Sequence, residues 1–280
     1  TSPVRPSGKS ALPAVNSRAF PYPADKPCKS TGRSRQFPPV PLPGVLSRKP
    51  SPANCPIGVF DSGVGGLSIL KALRAELPFE DFAYVADSGH APYGERAESF
   101  VVARSRTITR HLLEQHPPIK ALVMACNTAT AAAIHLLRQD YPGLPIIGVE
   151  PALKPAVTCS KTKRIAVMAT RGTLNSAKFK ALLDSLSGQA SFICQPCDGL
   201  ADAIERHNDS NLIALCAYYT RAIGQFGLNH EQIDTLVLGC THYPFASQHL
   251  QALVPPGVQL ISNGEPVARQ TRRVLMKLAN

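Results

Sequence analysis

Long apolar runs are missing from this 280-residue chain. No stretch reaches the roughly 18 consecutive apolar residues of a membrane helix, and no positively flanked apolar core stands at the N-terminus. Neither a membrane span nor a secretory signal is expected, and the reading is a cytoplasmic protein. The eight cysteines lack the tight spacing of a disulfide framework, which fits reduced thiols. Cys194-x-x-Cys197 has no second pair and no histidines at ligand spacing, so a zinc site is not supported, and no metal is assigned. Nor does it have the βαβ setting of a thioredoxin-like motif, so these two are expected to be buried structural thiols. Acids are nearly absent from one end: residues 1–55 hold nine Lys or Arg against Asp25 alone, a charge of +8. The remaining residues hold 21 against 18, so the net +11 is mostly a property of the tail. The near balance of the body argues against nucleic acid as a partner.

What is present falls into three parts. Residues 1–54 carry twelve of the 26 prolines, with Ser and Arg between them. Such a segment buries too little apolar surface to offset the entropy of ordering it, so disorder is expected. It is also Arg-rich, Ser-rich and acid-poor, as organellar transit peptides are, though no amphipathic helix is visible. A basic tail without function, or a misassigned start, fits better.

From residue 57 onward, short apolar runs alternate with helical patterns. Ile57–Phe60 precedes Asp61-Ser62-Gly63-Val64-Gly65-Gly66 and then Leu67, Leu70, Leu73 and Leu77 at helical spacing. This glycine loop lacks the Lys-Ser/Thr ending of a P-loop and the Gly-x-Gly-x-x-Gly order of a dinucleotide site. It suits a small anion meeting backbone N–H groups. Phe82–Ala86 reads as a strand ending at Asp87, followed by a loop with Pro92-Tyr93-Gly94 and a helix with Glu98, Arg104 and Arg110 outward. Leu122–Ala125 reads as a strand running into Cys126 and a helix to Gln139, and Pro145–Val149 as the next strand. The rhythm restarts with strands at Ile165–Thr170 and Ser191–Cys194, a helix around Ala177–Leu186, and helices over Gly199–Arg206 and Asn211–Phe226. A strand into Cys240, an apolar run at Gln259–Ser262 and a helix over Pro266–Leu278 close the chain. Strands alternating with helices imply parallel sheets covered on both faces.

The segment Leu122–Thr130, Leu-Val-Met-Ala-Cys-Asn-Thr-Ala-Thr, has an echo 114 residues later in Leu236–Pro244, Leu-Val-Leu-Gly-Cys-Thr-His-Tyr-Pro. The repeat implies two similar, pseudo-symmetric α/β lobes with mainly parallel sheets and an active site in the cleft between them. Residues 56–148 with 263–280 would form the N-terminal lobe, 149–262 the C-terminal lobe, and 1–55 the extension. Ligands of such sheets bind beyond the carboxyl ends of the strands, where Cys126 and Cys240 stand. A cysteine after an apolar strand is by itself most simply a small buried residue. Two in matched settings, each beside an expected helix N-terminus that favours a thiolate, are not so simply explained. A single nucleophilic Cys240 with His242 would leave Cys126 idle. Two thiols on opposite sides of one carbon instead suit proton removal on one face and delivery on the other, without metal or pyridoxal.

Four segments together resemble the signature blocks of the glutamate racemases. These are Gly58-Val59-Phe60-Asp61-Ser62-Gly63-Val64-Gly65-Gly66, Ala86-Asp87-Ser88 with Pro92-Tyr93-Gly94, Cys126-Asn127-Thr128-Ala129-Thr130, and Gly239-Cys240-Thr241-His242-Tyr243-Pro244. The resemblance implies a cofactor-independent isomerase, with D-glutamate feeding peptidoglycan synthesis. It implies Cys126 and Cys240 as acid/base thiols, Cys126 acting on D-glutamate and Cys240 on L-glutamate, with Asp61 supporting the first and His242 the second. Ser62, Tyr93, Gly94, Asn127, Thr128 and Thr241 would hold the substrate, with Asp61 and His242 also at its side. Asp61 reads equally as a turn or cap residue, His242 as partner of a buried backbone group, and Asp87 as an ordinary strand-end carboxylate. Glu205 would be a further support, although Cys197 is followed here by Asp198 where the family often has proline. Members form homodimers or monomer–dimer mixtures, and some are activated by a cell-wall precursor or inhibit DNA gyrase. The alternatives are a racemase of aspartate or another amino acid, a racemase with a nucleic-acid-binding tail, and a thiol hydrolase.

Overall fold

The computed structural model describes residues 55–279; residues 1–54, expected to be disordered, lie outside the described residues. β1 (Ile57–Asp61) runs through the glycine loop into α1 (Leu67–Glu76). β2 (Phe82–Ala86) leads by two 3₁₀ turns, Ser88–His90 and Tyr93–Glu95, to α2 (Glu98–Leu113). β3 (Ala121–Met124), α3 (Asn127–Asp140), β4 (Ile146–Gly148) and α4 (Leu153–Cys159) follow. The second series is β5 (Arg164–Ala169), α5 (Arg171–Asn175), α6 (Ala177–Asp184), β6 (Ser191–Pro196), α7 (Leu200–Glu205) and α8 (Asp209–Ile223). It continues with β7 (Thr235–Leu238), a 3₁₀ turn at Tyr243–Ala246, α9 (Ser247–Ala252), β8 (Gln259–Ile261) and α10 (Gly264–Ala279).

The strands form two four-stranded sheets of the same order, β2-β1-β3-β4 and β6-β5-β7-β8. Every pairing within them is parallel. Each sheet is the core of an α/β lobe, and alternation along the strands explains why both faces need cover. Phe60, Leu122 and Met124 pack with Ile108, Leu112, Ile134 and Leu137 of α2 and α3. On the opposite face Ile57, Val59, Ala121 and Val123 meet Ile69 and Leu73 of α1 and Val267 and Ala268 of α10. In the second sheet Ala166, Met168, Leu236 and Leu238 face α7 and α8, while Ile165, Val167 and Val237 face Leu153, Ala156 and Phe179. Each Val, Leu, Ile, Met or Phe among them contributes about 1.5–3 kcal/mol on burial, which fixes the strand register. Asp61 and Cys126 thereby stand at the carboxyl edge of one sheet, and Thr170 and Cys240 at that of the other.

Several local expectations change. Arg104 does not point outward; it turns back to Asp87 with Nε and Nη2 each 2.8 Å from a carboxylate oxygen. A partly buried acid at a strand end needs a counter-charge, and α2 passes close enough to supply it. Cys194 is exposed while Cys197 is buried, because β6 is the edge strand of its sheet. Both are free thiols. α4 and α5 form where no helix is expected. Leu153 and Ala156 anchor α4 in the core, with Pro155 in its first turn where no intrahelical N–H is needed. The Thr170 side chain caps α5 by accepting from the Thr173 N–H at 3.3 Å.

Candidate active site

Cys126 is the N-cap of α3, and its sulfur accepts the Ala129 N–H at 3.4 Å. The thiol itself donates to Ser62 Oγ at 3.8 Å. It is 5% exposed, and burial pushes its pKa well up, the Asp61 and Cys240 charges adding to the rise. Cys240, 6% exposed, lies 3.7 Å from His242 Nδ1. It opens no long helix, contrary to expectation: the 3₁₀ turn Tyr243–Ala246 and the six-residue α9 follow it. The imidazole occupies the place that a helix N-terminus takes beside Cys126. His242 Nε2 is 2.8 Å from Glu205 Oε2. Burial alone would favour the neutral ring, but the Cys240 and Glu205 interactions outweigh it and raise the pKa well above 6.5. Burial likewise opposes Glu205 ionisation, yet hydrogen bonds from His242 and the Val64 N–H hold its pKa below 4.5.

The glycine loop meets carboxylates of the protein itself. Gly63 and Gly66 N–H groups each donate to Asp61 Oδ2 at 3.0 Å, and the Val64 N–H donates to Glu205 Oε2 at 2.9 Å. The expectation of a loop open to a small anion is overturned at these three donors. Glycine is required for a different reason: a Cβ at Gly63 would lie 2.2 Å from Glu205 Oε2, and one at Gly65 would lie 2.5 Å from His242 Nδ1. Bare backbone lets the first lobe lie directly on the Glu205–His242 pair. Asp61 is fully buried, and burial raises its pKa above 3.8 despite the His242 charge and the Gly63 and Gly66 N–H bonds. Asp61 makes no hydrogen bond to either sulfur; its Oδ1 accepts from Thr241 Oγ1 at 3.3 Å.

The remaining expected residues surround this centre. Tyr93 donates its hydroxyl to Asp87 Oδ2 at 2.5 Å, so Asp87 reaches the site through Tyr93. Gly94 packs against Thr170, where a Cβ would meet Thr170 Cγ2 at 2.6 Å. Thr128 Oγ1 is 3.0 Å from Thr170 Oγ1, which donates on to Thr173 at 2.9 Å. Asn127 is oriented by a chain of bonds: the Ala152 N–H donates to Asn263 Oδ1 at 3.1 Å, so the Asn263 amide donates to Asn127 Oδ1 at 3.2 Å. The Asn127 Nδ2 is left buried and without a partner, a donor held ready for an acceptor. Such an assembly of buried thiols, an imidazole and a free amide donor can accept a small anion and move protons.

Residues 66–271 match the Asp/Glu/hydantoin racemase family. The chain belongs to that family. It is 52% identical over 226 residues to the glutamate racemase of Ectopseudomonas mendocina, covering 80% of this chain and 83% of that one. Among solved structures it resembles a glutamate racemase isoform from Bacillus anthracis, with a TM-score of 0.70 and 31% identity over 80% of this chain and 83% of that one. It also resembles Escherichia coli glutamate racemase in complex with L-glutamate and the activator UDP-MurNAc-Ala, at TM-score 0.69 and 30% identity over 79% and 83%.

Arg104, Thr170, Thr173 and Asn263 are the members of this racemase-family site that sequence reasoning missed. Thr170 offered a signal, since it ends an apolar strand as Asp61 does. Arg104 and Asn263 offered none: an arginine on an amphipathic helix and an asparagine after a short strand are ordinary surface residues.

Proposed function

We propose that the protein is a glutamate racemase, a cofactor-independent isomerase that interconverts L- and D-glutamate by acid–base chemistry at Cys126 and Cys240. The observation that carries this reading is the placement of two buried thiols at equivalent strand ends of two matched sheets. Curated relatives of similar length are glutamate racemases, and the E. coli neighbour binds L-glutamate. The α carbon lies between the sulfurs. One thiolate takes its proton on one face while the opposite thiol delivers one on the other, and the centre inverts. Burial favours Cys126 as the neutral thiol. An incoming ammonium brings a positive charge beside it, which lowers the cost of the thiolate at the moment a base is needed. Cys126 serves D-glutamate and Cys240 serves L-glutamate. Asn127 Nδ2 and the Ser62 hydroxyl, with Thr128, Thr241, Tyr93 and Gly94 around them, hold the carboxylates without adding a competing base.

The lobes are residues 56–148 with 263–280, and 149–262. The product feeds peptidoglycan synthesis in the cytoplasm, and the protein works as a homodimer or a monomer–dimer mixture. A cell-wall precursor is the candidate activator. A pocket of about 340 Å³ lined by Arg138, Lys154 and Lys178, the last paired with Glu150, offers cations to such a phosphorylated ligand, and the E. coli neighbour was solved with the activator UDP-MurNAc-Ala.

Circular dichroism of pure L- or D-glutamate, incubated with the protein and no added cofactor, tests the reaction. The signal decays to zero from both enantiomers. A constant signal with glutamate and decay with aspartate would assign the other acid instead.

A further inference from the structure

Helix α7 carries Glu205 at its C-terminal end, and it is tied to the first lobe at both ends. At its start, the Gly199 N–H donates to Glu95 Oε1 at 2.9 Å. At its end, Glu205 Oε2 accepts from the Val64 N–H at 2.9 Å. Both partners sit on turns that also carry site residues. Glu95 follows Tyr93 and Gly94, and Val64 follows Ser62 and Gly63.

The contact around Glu95 is close. A Cβ at Gly172 would come within 3.1 Å of the Gly94 carbonyl, so this turn rests directly on the start of α5. Arg171 pairs with Asp198 just before Gly199, and Tyr219 donates to the Asp198 carbonyl at 2.7 Å. Gly199 is left-handed at φ +76 and caps α7 without a side-chain bond of its own. Its N–H therefore takes an acceptor from the opposite lobe. Separating the lobes on this side breaks that bond, and α7 is the element that presents Glu205 to His242.

We infer that Glu95 is a positioning residue for Cys240. By holding the start of α7 against the first lobe, it keeps Glu205, and through it His242, aligned with the thiol. Closure of the cleft and preparation of Cys240 are then one event. The inference deepens the racemase reading and rests on it for the reaction, but not for the contact.

The test has one arm that needs no turnover. The His242 ring signals are followed with pH by ¹⁵N NMR, and the alkylation rate of Cys240 by iodoacetamide is read by peptide mass spectrometry. Glu95→Ala is expected to speed that alkylation roughly three- to tenfold, the worth of one hydrogen bond, and to move the His242 titration downward. In the second arm, racemisation loses kcat more than it gains in KM. Glu95→Gln keeps an acceptor oxygen and restores all three readings. Asp202→Ala, also on α7, removes an exposed ion pair with Arg206 just beyond the helix and leaves them at wild type. Should Glu95→Ala fail to fold, Glu95→Asp, one methylene shorter, replaces it. Wild-type alkylation and titration in the Glu95 variants, or equal changes in Asp202→Ala, overturn the inference. A wild-type protein that racemises neither enantiomer overturns the reaction instead, while the first arm still decides the role of Glu95.

Discussion

At the end of β3, Cys126 caps a 14-residue helix; at the end of β7, Cys240 meets a four-residue 3₁₀ turn and an imidazole. The sheets have the same strand order, so the two thiols occupy equivalent places. Their electrostatic support differs. The first half offers backbone N–H groups and a helix dipole, and Asp61 at the end of β1 is a charge that opposes the Cys126 thiolate. The second half has Thr170 at the corresponding strand end and uses His242 with Glu205 beside the sulfur. A repeated scaffold fixes where a reacting atom sits, while the residues after each strand decide how it is charged.

The comparison breaks most sharply if either thiol proves dispensable. Cys126→Ser and Cys240→Ser are each expected to remain folded by far-ultraviolet circular dichroism and to lose about 10²–10⁴ in racemisation, the usual worth of a positioned acid or base. Full activity in either variant removes the two-base mechanism.

Glu205→Gln should have a smaller effect, about ten- to hundredfold in kcat/KM, because a charge-assisted bond to His242 is weakened while the thiol stays. Its pH dependence of stability has a definite sign. The Glu205 contribution is present above 4.5 and lost as pH falls through its lowered pKa; that of His242 is present below 6.5 and lost as pH rises through its raised one. The Tm gap between wild type and Glu205→Gln is therefore widest between 4.5 and 6.5 and narrows on both sides. Ser62→Ala, the corresponding change beside Cys126, should leave no such window, and thermal melts across pH compare the two.

The smallest expected effect is on stability at Asp61. Its raised pKa means that the folded state disfavours its ionisation, a cost that is absent below 3.8 and complete above the raised value. Asp61→Asn should therefore slow racemisation yet raise Tm at neutral pH, with the gain vanishing toward pH 3.8. A lower Tm at neutral pH would show that the bonds from Gly63, Gly66 and Thr241 outweigh the burial of charge.

Much of the fold was legible because its signals are local. The apolar runs at Ile57–Phe60, Leu122–Met124, Ile165–Ala169 and Leu236–Leu238 are short and flanked by turn residues, and each became a strand. The cysteines, Asp61 and His242 were legible as candidates for the same reason, since they stand where such runs end. α4 and α5 were not, because they are short: α4 is held by the burial of Leu153 and Ala156 and α5 by its Thr170 cap and the buried Thr173. Arg104 was misread because an amphipathic helix predicts an outward arginine, and only the path of α2 past Asp87 turns it inward.

By itself the sequence determined two parallel α/β lobes, a thiol at the carboxyl edge of each, and the hydroxyl, amide and imidazole groups that follow them. Those features depend on neighbours within a few residues, through backbone propensity and the alternation of apolar side chains. Only the tertiary structure decided that Asn263 would turn Asn127, that Glu205 would hold both His242 and the glycine loop, and that Glu95 would fasten the start of α7. These bonds join residues far apart in the chain. Asn and Glu carry no local mark of a distant partner; folding within each lobe joins Asn263 to Asn127 and Glu205 to His242, and packing the lobes together joins Glu205 to Val64 and Glu95 to Gly199, each within 3.2 Å.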